Sequence, residues 1–440
     1  MYEVEIKELK TPVYLVDEKR IEDNLRILKG VEERTGCHIL LAQKAFSMFR
    51  IYPLIRKYIS GATASGLFEA RLAHEEMGGE NHVFSPAFTH EEMVELCEIC
   101  DHISFNSLRQ LELHRPVWEG TQHGPGAGSA GASGRDPDPG EPEIAGASMG
   151  KSDLGELESA GDTGKNLNSG EPDAASEYCG KARRVSVGLR INPEFSTQEG
   201  HEIYDPCAPG SRLGIRRKDM PEHLPEGVEG IHFHTLCEQG AEPLAATVMA
   251  VEESFGSYLK EAKWVNLGGG HHITKPGYDL SLLEKTICHL RDTYDVQVYL
   301  EPGEAIALDA GYLYTRVMDI VDNTLPILIL DSSAACHMPD VLEMPYRPPL
   351  RDGGIPGEKP YTCRLSSRTC LAGDVIGDYS FDRMPEIGDT LVFEDMAIYS
   401  MVKNNTFNGM PLPDIGLLHE DGSCEIVKSF GYEDFKCRLS

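Results

Sequence analysis

The sequence predicts an α/β fold, a (β/α)8 barrel joined to a second, mostly β domain. Three observations predict it: short β-rich runs alternate with amphipathic helical stretches, polar and glycine residues stand where those runs end, and the alternation stops after Gly311. In chain order the runs are residues 38–43, 62–65, 82–85, 103–106, 185–191, 230–234, 264–268 and 296–301, with helical patterns such as 67–77, 91–100 and 244–260 between them. Eight strands, each followed by a helix, is the number that closes a parallel barrel. Beyond Gly311, strand-like runs at 312–321, 326–330 and 390–393 follow one another with turns and few helical patterns. The opening 4–16 also reads as a strand. The expected division is therefore 20–306 for the barrel, with 1–19 and 307–440 forming a discontinuous β domain. Within the barrel, about 119–182 is rich in Gly, Ser, Asp and Glu and poor in large apolar residues, so it reads as a disordered surface insertion.

A chain of 440 residues with 40% hydrophobic and 25% charged residues has the composition of a globular protein with sizeable cores. Lys and Arg number 41 against 71 Asp and Glu, a net charge of −30, which excludes nucleic acid and anionic membranes as natural partners. No apolar run is long enough to span a bilayer, and Met1 to Lys10 lack the apolar core of a signal peptide, so a cytoplasmic location is expected. The 12 cysteines show no dense disulfide spacing. Cys97 and Cys100 form a CxxC, but within a helical pattern and without a second pair, so they read as buried thiols.

Barrel enzymes place their chemistry at the C-terminal ends of the strands. Lys44, Ser65, Asn106, Arg190, His234, Gly268-Gly269-Gly270 and Glu301 occupy those ends. Lys44 is flanked by apolar residues, and desolvation lowers an amine's pKa and makes it a competent nucleophile toward carbonyls. The triple glycine lets backbone amides approach a phosphate, although such a run is also compatible with a tight turn. Glu301, in YLEPGE, is placed to hold a protonated ring nitrogen or to pair with a neighbouring base. His232 and His234 project to one side of their strand, with His271 and His272 further on. No additional ligand falls at a convincing spacing, so no metal is expected and a stacking or proton-transfer role suits His234 better.

As an ordered set these residues resemble the fold-type III pyridoxal-phosphate decarboxylases, the group of ornithine and diaminopimelate decarboxylases. The resemblance covers nearly the whole chain outside the insertion. It implies that pyridoxal 5'-phosphate is the cofactor, carried covalently by Lys44, with His234 stacked on its ring, Arg190 of GLRINPE near it, and Glu301 on its nitrogen. Gly268–Gly270 and Tyr399 would hold the phosphate. Cys370, next to Thr369, would enter the active site of a partner subunit as proton donor, so a homodimer with shared sites is implied. Tyr399 belongs with Phe407-Asn408-Gly409 to a second motif of that domain.

The segments SGLFEARLA, SRLGI, CHMPDVLEMPYRP and TCLAGDVIGDY resemble the branch of the family that acts on carboxylated polyamines. Glu238, Asp340, Glu343 and Asp374 would then meet the substrate's cationic nitrogens, with Asp374 alternatively pairing with Arg212 across the dimer interface. Glu304 stands where many relatives carry arginine, which points away from diaminopimelate and toward a more cationic substrate. Ser366-Ser367-Arg368 also departs from the glycine or proline usual there. Decarboxylation of diaminopimelate, ornithine or arginine is the alternative on the same fold. A racemase is less favoured because such racemases present an arginine to the ring nitrogen, and a silent binding protein because Lys44, the glycine run, Glu301 and Cys370 are all retained.

Overall fold

The structure is a computed structural model and describes residues 9–122, 185–198 and 202–440. Eight parallel strands close on themselves: β2 (His38–Ala42), β3 (Gly61–Ala64), β4 (Glu80–Phe84), β5 (His102–Phe105), β6 (Ser186–Asn192), β8 (Val228–His232), β9 (Trp264–Asn266) and β10 (Gln297–Leu300). Neighbours pair in the order β5-β4-β3-β2-β10-β9-β8-β6, and β5 pairs with β6 to complete the ring. A two-residue strand, β7 (Ile215–Arg216), adds to the outer end of β6. All eight runs read from the sequence fall on these strands. The insertion does not begin at residue 119, because helix Arg115–Gln122 continues through 119–122, anchored by the buried Trp118. The remainder, 123–182, lies outside the described residues.

The second sheet runs β14-β13-β12-β11-β1-β16-β17, with β15 (Thr390–Glu394) pairing with β11 (Gly311–Asn323). Its other strands are β1 (Val13–Asp17), β12 (Leu325–Leu330), β13 (Tyr361–Ser367), β14 (Val375–Phe381), β16 (Asp414–Leu418) and β17 (Cys424–Lys428). β1 lies antiparallel to β11, with Val13 opposite Tyr314, and parallel to β16. It then feeds directly into helix Glu18–Thr35, whose N-cap is the last strand residue, Asp17, accepting from the Arg20 amide at 3.1 Å. Gly36, at φ 71°, closes that helix in the left-handed conformation and turns the chain into β2. The first strand of one sheet thus delivers the first helix of the other.

The barrel interior is not the usual stack of aliphatic layers. Trp264, Tyr299, His82 and His102 fill its N-terminal part, with the His82 and His102 rings stacked at 4.0 Å and Trp264 tilted against His102 at 4.8 Å. Room for the indole comes from two inward-facing glycines. A Cβ on Gly188 would stand 2.2 Å from Trp264, and one on Gly230 2.0 Å from it. Gly230→Ala therefore overpacks the barrel and is expected to cost ~2 kcal/mol in urea unfolding. Combined with Trp264→Phe, its cost should fall below the sum of the two single changes; strict additivity would show that the contact is not the cause.

Candidate active site at the C-terminal mouth of the barrel

The C-terminal ends of the strands surround a cleft lined by Lys44, Thr63, Phe84, Arg190, His234 and Glu301, with His232 beneath them. A wider depression lies between Phe407, Asn408 and the C-terminal Phe435, but it holds neither a desolvated amine nor a carboxylate. Lys44 follows β2 and stands solvent-accessible within the deep cleft. Desolvation by the walls, then the nearby Arg190 cation, lower its amine's pKa, against the attraction of Glu301 and Glu69. Arg190 is buried at 5% exposure, sits 4.4 Å over the Phe84 ring and donates to the His234 carbonyl at 3.1 Å. Burial brings its pKa down only to about 10, so it stays charged at neutral pH.

Glu301 accepts from Asn266 Nδ2 at 2.7 Å. Burial alone would raise its carboxyl, but His232, the Asn266 amide and Thr63 outweigh that and hold it below its ordinary value. His232 Nε2 lies 3.6 Å from Glu301 Oε2, too far for a hydrogen bond, and neither of its ring nitrogens has a hydrogen-bond partner. Burial holds His232 down to about 4, so at neutral pH it is an uncharged neighbour, and the Asn266 and Thr63 donors keep Glu301 ionised. The His234 imidazole is pushed well below its usual range by burial and by the Lys44 and Arg190 cations. Its Nδ1 accepts the Gly269 amide at 2.8 Å, which fixes the neutral tautomer with the proton on Nε2.

The glycine run is a packing device first. Its turn has Gly268 at φ 69°, where a Cβ would collide with the His234 side chain at 2.6 Å; a Cβ on Gly269 would meet the Glu301 carbonyl at 2.1 Å. The Gly268 amide is donated to Asn266 Oδ1 and that of Gly269 to His234. The run therefore presents a ligand with the Gly270 amide rather than with three successive ones, a correction to the simplest reading of the motif. Tyr399, held at the unusual φ of 55°, is tied to the barrel by its amide on the Ala45 carbonyl at 2.8 Å. Burial, then Glu304, raise its phenol.

The remaining residues singled out from the sequence separate. Glu238 stands exposed at φ 53°, its carboxyl raised by burial of the group and by Glu304 and Asp340 nearby. Asp340 accepts from Tyr204 at 3.1 Å and from Lys403, while Glu343 meets the same Lys403 at 2.9 Å. Both carboxylates thus already carry a cation of their own chain. Asp374 is a correction. At 1% exposure, it accepts from the Ser333, Ser367 and Thr369 hydroxyls and from the Ala334 and Ala335 amides. It is saturated as the hub of the 367–374 loop and free neither for a substrate nor for Arg212. That loop carries Cys370, exposed, its amide donated to Asn408 Oδ1 at 2.8 Å and its side chain outside the Lys44 cleft. Asn106 also leaves the cleft, pinning the Arg212–Gly214 turn. Phe84, Asn266 and Thr63 were missed; Phe84 lies two residues from the inward-facing His82 on β4, and Asn266 and Thr63 two residues before the strand-end residues Gly268 and Ser65, so alternation was the available signal.

A closed parallel barrel with a desolvated amine, an ionised carboxylate and a glycine turn at its C-terminal mouth defines an enzyme of the kind that works through a carbonyl-bearing cofactor. The chain belongs to the pyridoxal-dependent decarboxylases: the family described as "Pyridoxal-dependent decarboxylase, C-terminal sheet domain" matches residues 13–397. It is 35% identical to the carboxynorspermidine/carboxyspermidine decarboxylase of Campylobacter jejuni, over 98% of this chain and 99% of that one. It is also 35% identical to the carboxyaminopropylagmatine decarboxylase of Synechocystis, over 99% and 96% of the two chains. The crystal structure of the Campylobacter jejuni carboxynorspermidine decarboxylase complexed with norspermidine superposes with a TM-score of 0.79, covering 98% of this chain and all of that one. Helicobacter pylori diaminopimelate decarboxylase, 16% identical with a TM-score of 0.69, shares the fold.

Asp395, beside this mouth, accepts the Asp309 amide at 2.8 Å and is raised from 3.8 to about 6, by burial first and then by Asp309 and Glu304. The fold thus favours its protonated form, so its contribution to stability is complete below pH ~4 and is lost as pH rises through about 6. Asp395→Asn keeps the acceptor without the charge. It is expected to add ~1–2 kcal/mol at pH 7 and almost nothing at pH 4 in paired urea titrations. A loss at pH 7 would show instead that the fold requires the charge.

Proposed function

We propose that this chain decarboxylates a carboxylated polyamine, using pyridoxal phosphate held in the Lys44 cleft. The observation that carries the reading is the desolvated Lys44 amine sharing one cleft with the ionised Glu301. The residues fit the cofactor: Lys44 would hold its carbonyl carbon, the His234 ring would lie against it, and Glu301 would keep a proton on the pyridine nitrogen. Arg190, Tyr399 and the Gly270 amide supply positive charge and donors for a phosphate. When bound, the cofactor supplies an acceptor for the electron pair left as the bond to the carboxylate breaks. The low-dielectric walls of the cleft, to which Phe84 and the Arg190 stacked on it belong, strengthen the Glu301 interaction.

Substrate choice rests on the rim and the relatives. Glu238, Glu304 and Asp340 influence one another at the mouth beside Tyr399, a concentration of negative charge that suits a substrate whose further nitrogens are cationic. The relatives named for carboxylated triamines and for carboxyaminopropylagmatine are equally identical to this chain, so both substrate types belong to the proposal. Cys370, its amide bonded to Asn408 and its side chain outside its own cleft, serves as proton donor to the cleft of a second copy, and the working unit is a homodimer.

Carbon dioxide release should be measured with carboxynorspermidine, carboxyspermidine, carboxyaminopropylagmatine, diaminopimelate, ornithine and arginine. The carboxylated polyamines are expected to be preferred, and Lys44→Ala to lower kcat by ~10³-fold or more. Cys370→Ala should lower kcat by ~10²–10⁴-fold while leaving the cofactor's visible absorption in place. Preference for an ordinary diamino acid would overturn the substrate and keep the chemistry; full activity in Lys44→Ala would overturn both.

A further inference from the structure

The opposite, N-terminal pole of the barrel holds a cluster that the cleft does not use. Glu80 and His82 alternate onto the same inward face of β4, and His102 is the register partner of His82 on β5. One ligating atom from each of the three lies within 4.8 Å of the other two. Glu80 bridges two imidazoles, with Oε1 on His38 Nδ1 at 2.5 Å and Oε2 on His82 Nε2 at 3.1 Å. His82 is buried at 3% exposure, whereas the His38 and Glu80 side chains keep 39% and 27%. The cluster therefore has a dry interior wall and an open route from solvent.

We propose that Glu80, His82 and His102 bind one divalent transition-metal ion of the zinc class. Two imidazoles and a carboxylate suit zinc, cobalt or nickel, whereas magnesium and calcium call for oxygen ligands. At ~2.0–2.2 Å from each donor, a tetrahedral ion sets its ligands ~3.4 Å apart, so a spread of up to 4.8 Å closes by as much as ~1.4 Å. The stack of His82 on His102, at an interplanar angle of 16°, cannot aim both lone pairs at one ion. Binding turns the His102 ring, and His38 or water completes the coordination. Tyr299, packed against all three histidines, is the wall that would orient them. The ion cross-links β4 to β5 at the end of the barrel away from the reaction, and its role is structural.

The test uses the cofactor-loaded protein, stripped with a chelator and titrated with zinc against a chromophoric competitor. One ion per chain at micromolar or tighter affinity is expected, with a raised Tm and, for cobalt, the visible absorption of a tetrahedral site. Glu80→Gln, and His82→Gln with His102→Gln, should each weaken binding by more than the ~10–100-fold that loss of an outer hydrogen-bonding partner costs, while Cys370→Ser leaves it unchanged. Should the double variant fail to fold, Glu80→Gln alone decides. No ion bound by the wild-type protein, or binding unchanged in Glu80→Gln and lost in Cys370→Ser, overturns the proposal and leaves a hydrogen-bonded histidine–carboxylate cluster.

Discussion

The turn at Gly268–Gly270 is the constraint on which the mouth of the barrel depends. The Gly268 carbonyl accepts the Glu301 amide at 2.8 Å, the Gly269 amide is spent on His234, and the Gly270 carbonyl accepts the Gln239 amide at 3.0 Å. Three strand ends, those of β8, β9 and β10, are thereby locked into one another. The contacts are close enough that the three glycines leave no space for a Cβ, so the clamp tolerates no larger residue. Its product is positional: His234 has a fixed tautomer and Glu301 a fixed direction, and both face Lys44 without needing to reorganise.

Much of this was legible because barrel strands announce themselves by pattern. The runs are short and β-rich, each ends in a polar or glycine residue, and the helices between them carry a clear apolar stripe. The second sheet was less so. β13, β14, β16 and β17 were not resolved as strands from the sequence. β14 contains Gly377 and places Asp378 against Arg364 of β13 in a 2.7 Å pair, so its outward face is charged and its inward face interrupted. β17 lies at the sheet edge and buries little, so neither alternation nor hydrophobicity marks it. The same limit explains Asp374. A motif places the residue near Cys370, but only tertiary structure shows that the hydroxyls of Ser333, Ser367 and Thr369 converge on it. Nor does sequence show that Lys403, sixty positions on, neutralises Asp340 and Glu343.

The distribution of charge along the barrel axis connects these pieces. A chain with thirty more acidic than basic groups nevertheless gathers two cations, Lys44 and Arg190, in its cleft. Desolvated positive charge is costly and is tolerated where an anion or a polarised group will meet it. Glu301 faces both, and a phosphate would complete the balance. The rim reverses sign, since burial and the neighbouring Glu304 oppose ionisation of both Glu238 and Asp395. A molecule carrying ammonium groups along its length matches that polarity, because its tail relieves the repulsion at the rim. Lys403 caps part of that rim through Asp340 and His272 meets Glu304 at 2.8 Å, so the distance between the floor and Glu238, rather than the total acidity, would set which chain length fits. Selectivity would then be a property of the spacing between Lys44, which follows β2, and Glu238, which follows β8.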